Sequence, residues 1–163
     1  MKKLFLARHG KSSLGDPDAA DHERALLTVG VNNTKKIQQY IGKKEISFDL
    51  IISSYALRAL ETAKLLAEAA DYPQNAIKID HRMYEAVEDV IYRVLAEIDD
   101  TKENVLLVGH NPTLTQFVNI YLKPRIDNMP TSGFVCISFN TESWNEIPLS
   151  KGTVDFMVTP QTL

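Results

Sequence analysis

The chain has 163 residues, 44% hydrophobic and 24% charged, with a formal net charge of -3, an ordinary globular composition long enough for one domain with a substantial core. This mildly acidic balance leaves no footprint for nucleic acid or an anionic membrane, so any phosphate specificity must come from a local basic site. The lone cysteine, Cys136, excludes an intrachain disulfide and a thiolate metal cluster.

Met1-Lys2-Lys3 resembles the start of a signal peptide, but the apolar run behind it lasts only four residues before Arg8, too short for a signal core. No other run approaches transmembrane length, and a cytoplasmic protein is expected. Residues 4–7 read as a short buried strand, closed at once by Arg8-His9-Gly10-Lys11. At a strand's carboxyl end, where parallel α/β sheets bind ligands, the arginine offers a forked phosphate donor. The histidine offers a nucleophile or acid–base group near neutral pH, and the glycine lets backbone approach a ligand. Residues 12–24 are polar, contain Pro17, Asp16, Asp18, Asp21 and Glu23, and read as a solvated loop crossing the mouth of the sheet. Thr28 is placed to cap a helix that runs to Gly42 with Gly30, Thr34, Ile37 and Ile41 on one face. Gly30 lowers helix propensity in the first turn.

Residues 48–52 form a second apolar strand, ended by Ser53-Ser54. Over residues 56–70, Ala56, Ala59, Leu60, Ala63, Leu66, Ala67 and Ala70 recur at helical spacing, and their small size predicts close packing on a sheet. Arg58 lies off that stripe in the first turn, where the helix dipole disfavours a cation and a nearby anion would relieve the conflict. Residues 76–80 alternate as a third strand, with Met83-Tyr84-Glu85 in the loop behind it. Val90, Ile91, Val94, Leu95 and Ile98 mark another helix, and residues 104–108 the clearest buried parallel strand. Gly109-His110-Asn111-Pro112 then repeats the logic of the first stretch, with Pro112 opening a helix to about Tyr121. After a connection over residues 123–129, strands are expected at 134–139, 144–147 and 154–158, the later ones as an antiparallel edge. No repeat, linker or low-complexity tract divides the chain, so residues 1–163 are expected to be a single domain.

Strand–helix alternation predicts an α/β three-layer sandwich, a mostly parallel sheet with right-handed crossovers and helices on both faces. Parallel strands share a direction, so the carboxyl ends of 4–7, 50–52 and 105–108 bring Arg8, His9, Arg58 and His110 to one rim. Two arginines and two histidines there make a compact oxyanion site.

These residues carry a resemblance. Arg8-His9-Gly10 is similar to the signature of the histidine phosphatase superfamily, the clan of phosphoglycerate mutases and acid phosphatases. The run from Ser53-Ser54 through Arg58 to Thr62-Ala63 resembles its second block, and Val108-Gly109-His110-Asn111-Pro112 the block with the second histidine. Arg24 with Leu27-Thr28 and Gly30, and Thr131-Ser132-Gly133, resemble two more; all occur in family order along nearly the whole chain. The short length and the Thr-Ser-Gly block look most like the small SixA-type phosphohistidine phosphatases. Two positions depart from the pattern: Tyr55 stands where proline is usual, and Glu61 where glutamine is usual, one turn after Arg58 and placed to compete for it.

The resemblance implies a phosphoglycerate mutase-like fold and a metal-independent, cofactor-free phosphatase. In it neutral His9 attacks phosphorus to form a phosphohistidine that water hydrolyses, Arg8 and Arg58 hold phosphoryl oxygens, and His110 donates to another. Arg24 is placed near the rim as a further phosphate or substrate contact. Glu85 is the positional candidate for general acid, with Asp16 and Asp18 as alternatives, although a phosphohistidine leaves well enough to need none. The expected substrate is a phosphomonoester or phosphoramidate, in particular phosphohistidine protein. Mutase-like phosphotransfer and broad small-molecule phosphatase activity are the alternatives. Two rivals lie outside this chemistry: a metal site drawn from the two histidines with Asp16, Asp18 or Glu85, against which Arg8 beside His9 argues, and a phosphate-binding module without turnover, against which the pair of histidines argues.

Overall fold

A computed structural model describes all 163 residues. Its strands are β1 (Lys2–Arg8), β2 (Leu50–Ser53), β3 (Lys78–Ile79), β4 (Asn104–Gly109), β5 (Phe134–Phe139) and β6 (Gly152–Val158), joined in one sheet of order β3-β2-β4-β1-β5-β6. The first four pair in parallel; β5 runs antiparallel to β1, and β6 antiparallel to β5. The helices are α1 (Thr28–Lys43), α2 (Leu57–Ala69), α3 (Glu88–Ala96) and α4 (Thr113–Tyr121).

Alternation along the strands feeds two cores. Leu4, Leu6, Ile52, Val105 and Leu107 pack with Ile91, Val94 and Leu95 of α3 and Leu114 and Phe117 of α4. Phe5, Ala7, Ile51, Leu106 and Val108 pack with Ile37 and Ile41 of α1 and Ala59, Ala63, Leu66 and Ala67 of α2. Helices covering both faces explain why the central strands read as unbroken apolar runs. Truncating one such buried leucine to alanine costs ~2–5 kcal/mol. The mostly parallel three-layer α/β sandwich is as expected, and no helix is long and apolar enough to cross a membrane.

Three local expectations are corrected. Thr28 is the first residue of α1, not its cap; Leu27 holds the cap position without a side-chain bond, and its N–H donates to the Lys11 carbonyl at 2.9 Å. The entry of α1 is therefore fixed by a tertiary contact. Gly30 is explained by the same contact, since a Cβ there would lie 2.1 Å from the Lys11 carbonyl oxygen. The third strand shrinks to two residues, paired to Ile52 and Ser53 at the sheet's edge, behind a 3-10 turn at Gln74–Ala76. Residues 144–147 are not a strand but part of a 3-10 helix, Trp144–Leu149, in which Trp144 and Ile147, three apart, share the buried face.

Candidate active site

The parallel register sets the site. Arg8 pairs with Gly109 at the end of β1 and β4, and the His9 N–H donates to the Gly109 carbonyl at 3.1 Å. His9 and His110 are thus the first residues beyond two adjacent strands, and their rings lie 5.0 Å apart. On the other side of β4, Ser53 pairs with Val108, and Ser54 is the first residue beyond β2. A cleft of about 390 Å³ opens over these ends, lined by Arg8, His9, Arg24, Arg58, Glu85 and His110, and also by Lys11, Ser12, Asp21, Tyr84, Asn111 and Thr131. All six residues named from sequence as site candidates are gathered here; Asp16 and Asp18 are not among the lining residues. The two histidines form no cluster of three or more His, Cys, Asp or Glu side chains.

His9 is buried, and its Nδ1 lies 2.8 Å from the Gly10 carbonyl oxygen. A carbonyl only accepts, so Nδ1 carries the proton. Desolvation, reinforced by the charges of Arg58, Arg8 and Arg24 and opposed by the Gly10 bond, lowers the His9 pKa to about 4. The ring is neutral at pH 7, and Nε2 is left with its lone pair. Burial and the charges of His9 and Arg58 push His110 down to about 3, so it too is neutral. Its Nε2 lies 2.8 Å from Ser54 Oγ. The loop carrying His9 is tied on several sides: Gly10 N–H donates to Thr62 Oγ1 at 2.9 Å, and Ser132 N–H donates to the carbonyls of Arg8 and His9 at 3.1 and 3.2 Å. Ser132 adopts φ 60° to do so.

The three arginines share one pattern. Arg8 Nη1 donates to the Met129 carbonyl at 2.9 Å, Arg24 Nη1 to the Ser13 carbonyl at 3.1 Å, and Arg58 Nη1 to the Asp21 carbonyl at 2.9 Å. In each, the buried Nε has no hydrogen-bond partner. A buried donor left unpaired costs ~1–3 kcal/mol. The three arginines line the cleft together, where their charge would meet an oxyanion. Asp21 is the anion that Arg58 lacked in the sequence: Oδ2 accepts from Arg58 Nη2 at 3.0 Å, and Oδ1 from Arg24 Nη2 at 2.8 Å. Tyr84 Oη also donates to its carboxylate. That bond, then Arg58, holds the Asp21 pKa near about 2 against desolvation. Glu61 does not compete for Arg58; its Oε1 accepts from the Leu26 N–H at 3.0 Å and ties the mouth loop to α2. Tyr55 stacks on His81 with ring centroids 4.5 Å apart and meets the edge of Tyr84 at 5.1 Å, buttressing the cleft wall.

Sequence reasoning missed Asp21, Tyr84 and Ser54 as site residues. The only signal for Asp21 was its position three residues before Arg24.

Solved structures share this architecture. A protein assigned as phosphohistidine phosphatase SixA from Agrobacterium tumefaciens superposes with a TM-score of 0.83 at 22% identity over 98% of both chains. The protein histidine phosphatase SixA complexed with tungstate gives 0.80 at 20% identity, over 98% of this chain and 97% of that one. This chain has the SixA fold. The mycobacterial glucosyl-3-phosphoglycerate phosphatase complexed with VO3 gives 0.65 at 17% identity, over 96% of this chain and 98% of that one. The SixA fold therefore extends, less closely, to a phosphatase named for a sugar phosphate. No family model matches the chain. An uncharacterized protein of Picosynechococcus sp. is 35% identical over 74 residues, which make up 44% of this chain and 45% of that relative.

Proposed function

We propose that this chain, as one domain over residues 1–163, is a histidine phosphatase that hydrolyses a phosphoramidate or activated phosphomonoester, with phosphohistidine protein as its substrate. The observation that carries the proposal is a neutral imidazole with a bare Nε2, His9, in a cleft lined by three arginines whose buried Nε–H groups are unpaired. In the first step the His9 Nε2 lone pair forms a bond to phosphorus, and the bond from phosphorus to the leaving group breaks with its electron pair going to the leaving atom. Arg8, Arg24 and Arg58 hold the phosphoryl oxygens as charge spreads over them. Water then attacks the phosphohistidine, releasing phosphate and restoring neutral His9. The oxyanions tungstate and VO3 bound to proteins of this fold support an oxyanion site.

The proton inventory favours the good leaving group. Asp21 is ionised and committed to two arginines and Tyr84, so it cannot serve as the acid. Glu85 lines the cleft but is exposed and has no hydrogen bond that would hold a proton toward a leaving atom. An alkoxide would leave poorly from such a site, whereas imidazole leaves without a strong acid.

The test is a screen of phosphohistidine protein, phosphotyrosine and small phosphate esters in the presence of EDTA, with a rapid quench that avoids acid. Turnover should survive the chelator, and a single acid-labile, base-stable phosphoryl group per chain should be trapped. His9→Ala should abolish both. Label persisting in His9→Ala would remove the nucleophile from the scheme, and loss on chelation with rescue by Zn²⁺ or Mn²⁺ would restore the metal reading.

A further inference from the structure

We infer that Ser54 is a positioning residue that fixes the tautomer of His110, placing its single proton on Nδ1 as a hydrogen-bond donor to the cleft. Ser54 is fully buried, and its Oγ has two neighbours: the Ala56 N–H, which donates to it at 3.2 Å, and His110 Nε2 at 2.8 Å. The Ala56 N–H uses one lone pair of the hydroxyl and can take nothing from it. The hydroxyl hydrogen therefore has one acceptor in reach, His110 Nε2. If Nε2 carried the proton instead, two donors would face Ser54 Oγ and its own hydrogen would be buried without a partner, which is the costlier arrangement. With Ser54 donating, Nε2 is an acceptor, and the neutral ring must hold its proton on Nδ1. Nδ1 has no protein partner, and His110 lines the cleft.

His9 is the complement. Its proton is drawn to Nδ1 by the Gly10 carbonyl, so Nε2 is bare. Two neutral imidazoles, 5.0 Å apart, thus divide the work: His9 offers a lone pair and His110 an N–H. A neutral donor avoids setting an imidazolium beside Arg8 and Arg58. Ser54, His110 and His9 are the first residues past β2, β4 and β1, three neighbouring parallel strands, so their order is set by the sheet rather than by loops.

The functional consequence rests on the phosphatase reading, but the tautomer does not. Long-range ¹H–¹⁵N correlation of protein labelled at histidine distinguishes protonated from bare ring nitrogens, with His9→Asn and His110→Asn assigning the signals. Wild type should show His110 protonated at Nδ1 and bare at Nε2. Ser54→Ala should move both His110 nitrogens toward an averaged mixture while His9 is unchanged, and Ser54→Thr, which keeps the hydroxyl, should restore the wild-type pattern. If the wild-type protein turns over phosphate, Ser54→Ala should lower kcat by ~10-fold or more while changing KM far less, because the donor matters most as charge develops on oxygen. Wild-type His110 protonated on Nε2 would overturn the inference even if Ser54→Ala fails to fold, and so would an unchanged tautomer in a folded Ser54→Ala. A correct tautomer in a protein without turnover would instead refute the proposed function alone.

Discussion

Acidification tests the burial of both histidines at once. The folded state keeps His9 and His110 neutral down to about pH 4 and about 3, whereas unfolded histidine titrates near ~6.5. Between those values the unfolded chain binds protons that the native state refuses, so stability falls as pH falls from ~6.5 and levels off once the buried rings protonate. At about pH 5 the size is insensitive to the folded values, because both lie well below it. Each histidine then removes about 2 kcal/mol relative to about pH 7.5, or about 4 kcal/mol together. Native carboxylates add little in this window: Asp21, depressed to about 2, contributes stability above the unfolded value of ~3.9 that is lost only as pH falls through its folded pKa.

Trp144, the sole tryptophan and fully buried, reports unfolding by fluorescence in urea. With an m-value of about 2 kcal/mol/M, the midpoint should drop by about 2 M between those pH values. The His9→Asn/His110→Asn double variant should lose most of that dependence. A wild-type midpoint that stays flat, or a double variant that keeps the full slope, would refute the claim that the two rings are buried and neutral.

Gly30→Ala should destabilise the fold by ~1–3 kcal/mol in urea unfolding, despite alanine's better helix propensity, because its Cβ would collide with the Lys11 carbonyl. It should also impair phosphate-ester turnover, since Lys11 lies two residues from His9. Arg58→Ala should depress every substrate by a similar factor, ~10²-fold or more, as its contact is with the phosphoryl group common to all. Glu85→Gln should leave phosphohistidine and para-nitrophenyl phosphate within about twofold of wild type; a fall of ~10²–10⁴-fold confined to alkyl phosphates would make Glu85 the general acid after all.

What was legible in the sequence followed from strong local rules. Apolar runs ending in glycine and charge marked the central strands, and the small-residue stripe of α2 marked a helix pressed onto the sheet. The misreadings each have a physical cause. Trp144 and Ile147 suit a strand by residue type, yet a spacing of three puts both on one face of a 3-10 helix, and a segment this short does not separate the two periods. Asp21 differs from Asp16, Asp18 and Glu23 in sequence only by its spacing to Arg24, because all four sit in one polar loop, and only the fold brings it to Arg58. Arg58 lies off the apolar stripe, so periodicity gives no reason for its burial. It is 5% exposed, covered at the first turn of α2 by the mouth loop rather than by the sheet.

Adjacency of the strand ends is not encoded locally. Direction alone puts Arg8, Arg58 and His110 on one rim, but a rim can be six strands wide. That His9 and His110 meet depends on β4 inserting between β1 and β2, a crossover in strand order that no local pattern encodes. It places strand ends ~4.8 Å apart in the hydrogen-bonding direction, the spacing of neighbouring strands, which matches the 5.0 Å between the two rings. The same insertion brings Ser54 against the far side of His110. One topological choice therefore assembles both the histidine pair and the hydroxyl that orients its second member. A sequence reading can name the histidines, but the proton on His110 becomes assignable only when the three strand ends stand side by side.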